Sequence, residues 1–195
     1  MDRRAWSDEE MILSLDLYYK LPFGRLNQHT PEVRELAALI GRTPSSVALR
    51  LVNYAACDPY IVNSGRRGMV SGIGKCKPFW DHYADNTEEL FLQAENIRAS
   101  MMDRSVEEIL QLNSTDFIGK EKETVIKQRI NQNAFRAVIL ANYNEQCAIS
   151  GICIPQLLIA SHIVPWSDDV NNRLNPTNGI CLSPLYDKAF DKGYI

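Results

Sequence analysis

The stretch NGICLSPLYDKAFDKGYI, residues 178–195, decides how the C-terminal part of the chain folds. GICLS is a short apolar run of strand type. Ser183 has the side chain of a helix N-cap, Pro184 suits the first helical position, and Gly193 suits the end of the helix. Asp187 and Asp191 then fall at i and i+4 on one helix face, with Lys188 and Lys192 beside it. Like charges one turn apart repel unless something lies between or beside them. For D-x-x-x-D alone, pairing with the two lysines would be sufficient.

The residues upstream add to this. LLIASHIVPW (157–166) reads as a short apolar strand that ends at His162. The chain has three histidines; His29 and His82 sit in polar surroundings without a partner motif. A polar loop, PWSDDVNNRLNPTN, leads from His162 to Asn178. Before the strand, KEKETVIKQRINQNAFRAVILANY predicts a long amphipathic helix from Lys120 to about Tyr143.

Strand, loop, strand and helix, with His on the first strand, Asn at the loop's end and two ligand-type residues on the helix, resembles the HNH nucleases of ββα-metal fold. FRAVILANYNEQCAISG, SHIVPW and RLNPTNGICLSPLYDKAFDKG come in order over residues 129–195, as in the restriction-type subgroup. The resemblance implies metal-dependent hydrolysis of DNA phosphodiesters, leaving 5′-phosphate and 3′-hydroxyl ends, in bacterial restriction or defence. It implies His162 as general base, a role that suits imidazole. It also implies Asn178 as the residue that fixes the loop, and Asp187 and Asp191 as metal ligands. In the subgroup, further strands usually follow the DKGYI position.

Three departures stand out. Asp187 replaces the His of many relatives, and carboxylates favour Mg²⁺ or Mn²⁺. Ser161 precedes the base where an acidic or His ligand is common. The paired C-x-x-C motifs of many relatives read CAIS and CLSP here, so no structural zinc is expected. Cys147, Cys153 and Cys181 are then expected as small buried apolar residues. Arg129, Arg136 and Arg173 are candidate phosphate contacts, though each alone could be a surface charge. Trp166 and Phe190 read as core. One such site cuts one strand, so double-strand cleavage implies a homodimer or sequential nicks.

The N-terminal third reads as three short helices. WSDEEMILSLDLYYKL has Ser7 as N-cap and Glu10 three residues on, a capping box. TPEVRELAALIG and TPSSVALRLVNYAAC each open with Thr-Pro, at Thr30 and Thr43, and Gly41 closes the former. Residues 6–56 resemble the Myb/SANT and sigma-like helix-turn-helix families. That resemblance places the helix from Pro44 to Ala56 in the DNA major groove, with Ser45, Ser46, Arg50 and Asn53 toward the bases. A plain three-helix packing unit or a protein-docking module fits equally well.

Between these ends, residues 61–80 hold Arg66, Arg67, Lys75 and Lys77 and no acid. Four glycines between 63 and 77 predict a loop, and such a loop could follow a phosphate backbone or simply connect. Its G-x-G lacks the dinucleotide and Walker patterns. Residues 81–119 hold nine acids against two arginines. They predict a helix from Asn86 or Thr87 and a short one at SVEEIL.

The predicted class is α+β, mostly helical: a helix-turn-helix-like region (1–60), a basic loop and helical linker (61–119), and an HNH domain (120–195). Five cysteines without framework spacing suggest a reducing compartment. The absence of a membrane span or signal peptide in the sequence suggests the cytoplasm. Net charge −3 gives no bulk electrostatic argument for DNA, so any attraction is local. Two other functions fit the same residues: a DNA-binding regulator with a silent HNH part, and a homing or phage nicking enzyme.

Overall fold

The structure is a computed structural model that describes residues 4–112, 120–169 and 172–195. The predicted linker therefore lies partly outside the described residues. The chain falls into two compact units. One combines the residues up to Tyr18 with Gly24–Ile130, and the other combines Tyr19–Phe23 with Asn131–Ile195. No helix among the described residues is long and apolar enough to cross a membrane.

Helix α1 (Asp8–Lys20), which belongs to the first unit as far as Tyr18, starts as expected. The Ser7 N–H donates to Glu10 Oε2 at 2.9 Å, and the Glu10 N–H donates back to Ser7 Oγ at 3.3 Å. The helix is not simply two-faced. Met11, Ile12, Leu13, Ser14, Leu15, Asp16 and Tyr18 are all buried, because later helices surround it. Helices α2 (Pro31–Leu39) and α3 (Pro44–Ala55) come next, joined through Gly41 at φ +65°. Thr43 caps α3 by accepting from the Ser46 N–H. Thr30 does not cap α2 with its side chain; that hydroxyl is buried and donates to the Arg25 carbonyl at 2.6 Å.

Glu10 ties the α2–α3 turn to the start of α1. Its carboxylate is buried and accepts from Arg42 Nη2 at 2.7 Å and Arg42 Nε at 3.0 Å. Burial alone would raise this carboxyl's pKa. Hydrogen bonds from Arg42 and the Ser7 N–H, with the charges of Arg42 and Arg4, outweigh that and hold it below the usual carboxylate range.

Residues 61–112 belong to this unit. Helix α4 (Pro59–Asn63) is capped by Asp58, α5 spans Ile73–Tyr83, and α6 spans Thr87–Met101. Helix α7 (Val106–Ile109) is opened by a Ser105–Glu108 capping box. The segment predicted as loop over 63–77 is therefore loop only as far as Gly72. Burial of Cys76, Trp80 and Tyr83 favours a helix from Ile73 onward, despite Gly74 and an internal Pro78. Gly74 meets nothing within 4 Å, so it costs only helix propensity, about 1 kcal/mol.

Helix α8 (Lys120–Asn142) matches the predicted long helix, and from Asn131 onward it belongs to the second unit. There, β1 (Ile159–His162) pairs antiparallel with β2 (Gly179–Leu182), and His162 stands opposite Gly179. Helix α9 (Pro184–Asp191) completes the unit. A two-stranded sheet is marginal in water and needs covering helices. Phe135, Ile139, Cys147, Leu158, Cys181 and Leu182 form the buried cluster that supplies the cover, with Tyr186 and Phe190 packed against it. Gly179 is required by α8: a Cβ there would lie 2.3 Å from Ile139 Cδ1 and 2.7 Å from Phe135 Cζ. Cys147 and Cys181 are buried as predicted, whereas Cys153 is exposed.

Candidate active site

His162 is the last residue of β1, and the absence of a side chain at Gly179 leaves room beside it. The imidazole lies flat on the Phe135 ring, with centroids 3.7 Å apart and planes 10° apart. Trp166 meets it edge-on at 5.4 Å. His162 Nε2 is 2.9 Å from the Arg173 carbonyl oxygen. A carbonyl only accepts, so Nε2 carries the hydrogen, and the neutral ring keeps its lone pair on Nδ1. The ring is thus fixed in plane and in tautomer.

Asn178 closes the loop that begins after His162. Its Oδ1 accepts from the Val164 N–H at 2.7 Å. Its Nδ2 donates to the carbonyls of Val164 and Asn172, both at 3.1 Å. The side chain is buried, so these bonds are made away from water. Asn172 neighbours Arg173, whose carbonyl orients His162. Asn178 therefore sets the imidazole through the backbone and need not touch it.

Helix α9 approaches β1 at Ser161. The Ser161 hydroxyl is buried and donates to Asp187 Oδ1. Asp187 is half-buried and Asp191 is exposed, one turn further along the same helix. Among the described residues neither aspartate is paired with Lys188 or Lys192. The two lysines therefore do not supply the compensation that a bare D-x-x-x-D would need.

The predicted arginines separate. Arg136 is committed to backbone, donating to the Leu158 and Pro155 carbonyls. Arg173 donates to the Trp166 carbonyl at 2.7 Å, and its guanidinium lies 5.1 Å from that ring's centre. Both brace the site through these bonds. Arg129 is exposed on α8. In the first unit, Arg66 and Arg67 are exposed, Ser45 is exposed and Ser46 half-exposed. Arg50 and Asn53, predicted to face DNA, are buried. Asn53 donates to the Met69 and Ser71 carbonyls, both at 2.8 Å, and Arg50 to Cys76 Sγ at 3.4 Å. The part of that face formed by Arg50 and Asn53 is covered by the segment C-terminal to it.

The sequence reading missed Phe135 and the Arg173 carbonyl, which together orient His162. Their only signal was the FRAVIL run and the loop length. It also missed Cys147's surroundings. The buried sulfur accepts from the N–H groups of Ser150 at 3.4 Å and Ser183 at 3.2 Å. Burial alone would raise this thiol, but hydrogen bonds from Ser150, Ile149 and Ser183 outweigh it and bring it down to about 6. Burial and the neighbouring Cys147 push Cys181 up to about 11.

One comparison with known proteins bears on this geometry. Residues 147–195 match the family model of the HNH endonucleases. No curated protein and no solved structure matches the chain. The HNH match covers Cys147, both strands and α9, so His162, Asn178, Asp187 and Asp191 all fall inside it. It supports a nuclease domain over these residues. HNH nucleases generally use divalent metals. Among the described residues no three His, Cys, Asp or Glu side chains gather closely enough to hold an ion. The donor set fits one ion nonetheless. Two carboxylates one turn apart, with a serine hydroxyl beside one of them, are hard oxygen donors, and Mg²⁺ keeps several waters and needs few protein ligands.

Proposed function

We propose that this chain is a metal-dependent DNA endonuclease that hydrolyses phosphodiester bonds with His162 as its general base. The observation that carries the proposal is the His162 ring. It is stacked on Phe135 and fixed through Nε2, so Nδ1 is the atom free to take a proton from a water. That water's oxygen then attacks the phosphorus. A pre-oriented base of this kind contributes roughly 10²–10⁴-fold in rate. Asn178 holds the two ends of the loop, keeping the Arg173 carbonyl where the ring needs it.

Asp187 and Asp191 would hold the Mg²⁺ or Mn²⁺ ion. When bound, the ion stabilises charge on the phosphate and on the departing 3′ oxygen. Ser161 keeps Asp187 turned toward β1 and competes with the ion for Oδ1, so metal affinity without DNA is expected to be weak. By resemblance, the setting is bacterial restriction or defence.

The test is incubation of the chain with supercoiled plasmid and phage DNA, modified and unmodified, with Mg²⁺, Mn²⁺ or EDTA. Metal-dependent cutting with 5′-phosphate ends is expected. The Ser161–Asp187 bond gives the second reading its support: a DNA-binding regulator whose HNH part is silent. DNA binding without cutting under any of these conditions would favour it.

A further inference from the structure

On the face of α3 predicted to read DNA, Arg50 and Asn53 are buried, which leaves only the two short serines, Ser45 and Ser46, at its N-terminal end. A glycine-rich loop, residues 64–72, crosses that face and is fixed to it. The Met69 N–H donates to the Val52 carbonyl at 3.0 Å, and Asn53 holds the Met69 and Ser71 carbonyls. Gly68 lies so close that an added Cβ would be 2.2 Å from the Ala56 nitrogen. At Gly72, φ is +103°, and a Cβ would meet Asn53 Oδ1 at 3.0 Å. Two of the loop's glycines thus bring its backbone onto α3.

The same loop carries exposed charge of one sign. Arg66 and Arg67 are exposed, and so is Lys75 in the first turn of α5. No acid occurs from residue 61 to residue 80, and the first turn of α5 carries none. Two arginines on a backbone fixed against a helix, with a lysine at the start of the next helix, suit a repeating phosphate chain, read by charge and not by base.

We propose that this loop, through Arg66 and Arg67, with Lys75 beside it at the start of α5, is the first unit's contact with the DNA phosphate backbone, in place of α3. The inference rests on the DNA-nuclease reading. It makes the contact independent of sequence, so base selection would come from elsewhere.

Binding of the full chain to labelled DNA duplexes of unrelated sequence, in EDTA and over a range of salt, tests it. The Arg66→Ala/Arg67→Ala double variant should bind every duplex more weakly, by a similar factor. Its log–log salt slope should be shallower by about 2, since each lost phosphate contact removes about one unit. Gly68→Ala keeps both charges but drives a methyl into the α3 backbone, and should also weaken binding. Circular dichroism checks that each variant is folded. Arg34→Ala, an exposed cation on α2, should bind like the parent. A parent that binds duplexes and a folded double variant with the same affinity and slope would overturn the loop proposal alone. A parent that neither binds nor cuts any duplex would overturn the nuclease reading with it.

Discussion

At the scale of single residues, most of the site's geometry depends on Asn178. Three backbone groups depend on one buried amide, and the carbonyl that orients His162 sits one residue from one of them. Asn178→Ala leaves those groups unpaired. It should cost about 1–3 kcal/mol in urea unfolding and abolish metal-dependent cutting. Asn178→Asp keeps the acceptor but loses both donors, so it should not restore activity. Cys147 makes a second residue-scale prediction. Its pKa is lowered in the fold, so it contributes stability that is complete above the ordinary thiol range near 9. That stability is lost as pH falls through about 6. Urea unfolding of the parent should show stability rising between those values, and Cys147→Ala should flatten the rise.

At the scale of elements, the packing of α8 on the sheet is exacting at Gly179. Gly179→Ala would place a methyl against Ile139 and Phe135, overpacking that costs typically 1–3 kcal/mol. Calorimetry should show a lower midpoint, and Ile139→Val in the same chain should recover part of it. Starts of elements were legible in the sequence because caps are local. Ser7 with Glu10, Thr43 and Pro184 all mark helix starts where expected, and His162 and Asn178 end up on one loop. What could not be read was cover. Asn53 looks like a groove-facing residue until a loop some sixteen residues away is laid over it, and Arg50 does until Cys76 of α5 is placed against it. Arg136 looks like a surface charge until the Pro155–Leu158 backbone is laid beside it. Helix α5 was hidden for the same reason, since Gly74 and Pro78 argue against a helix and only its tertiary burial argues for one.

At the scale of the whole molecule, the two units should respond to acid through different groups. The first unit depends on Glu10, whose carboxyl is held low by Arg42 and Arg4. Its contribution is complete above the ordinary carboxylate range and is lost as pH falls through the lowered value. Arg42→Ala leaves that buried carboxylate with the Ser7 N–H and one cation, Arg4, whose side chain is 61% exposed. Removing one partner of a buried pair typically costs about 3–5 kcal/mol. A large drop in the first unit's unfolding midpoint at neutral pH is expected, shrinking as acid protonates Glu10. The two units are joined by a shared reading, DNA held by one and cut by the other, and His162 is where that reading can be tested. The decisive measurement is cleavage of supercoiled plasmid with Mn²⁺ or Mg²⁺ by the parent and by folded His162→Ala, side by side. Cutting by the parent and a loss of at least about a hundredfold in the variant is the expected result. Equal cutting by both would contradict the assignment of His162 as the base.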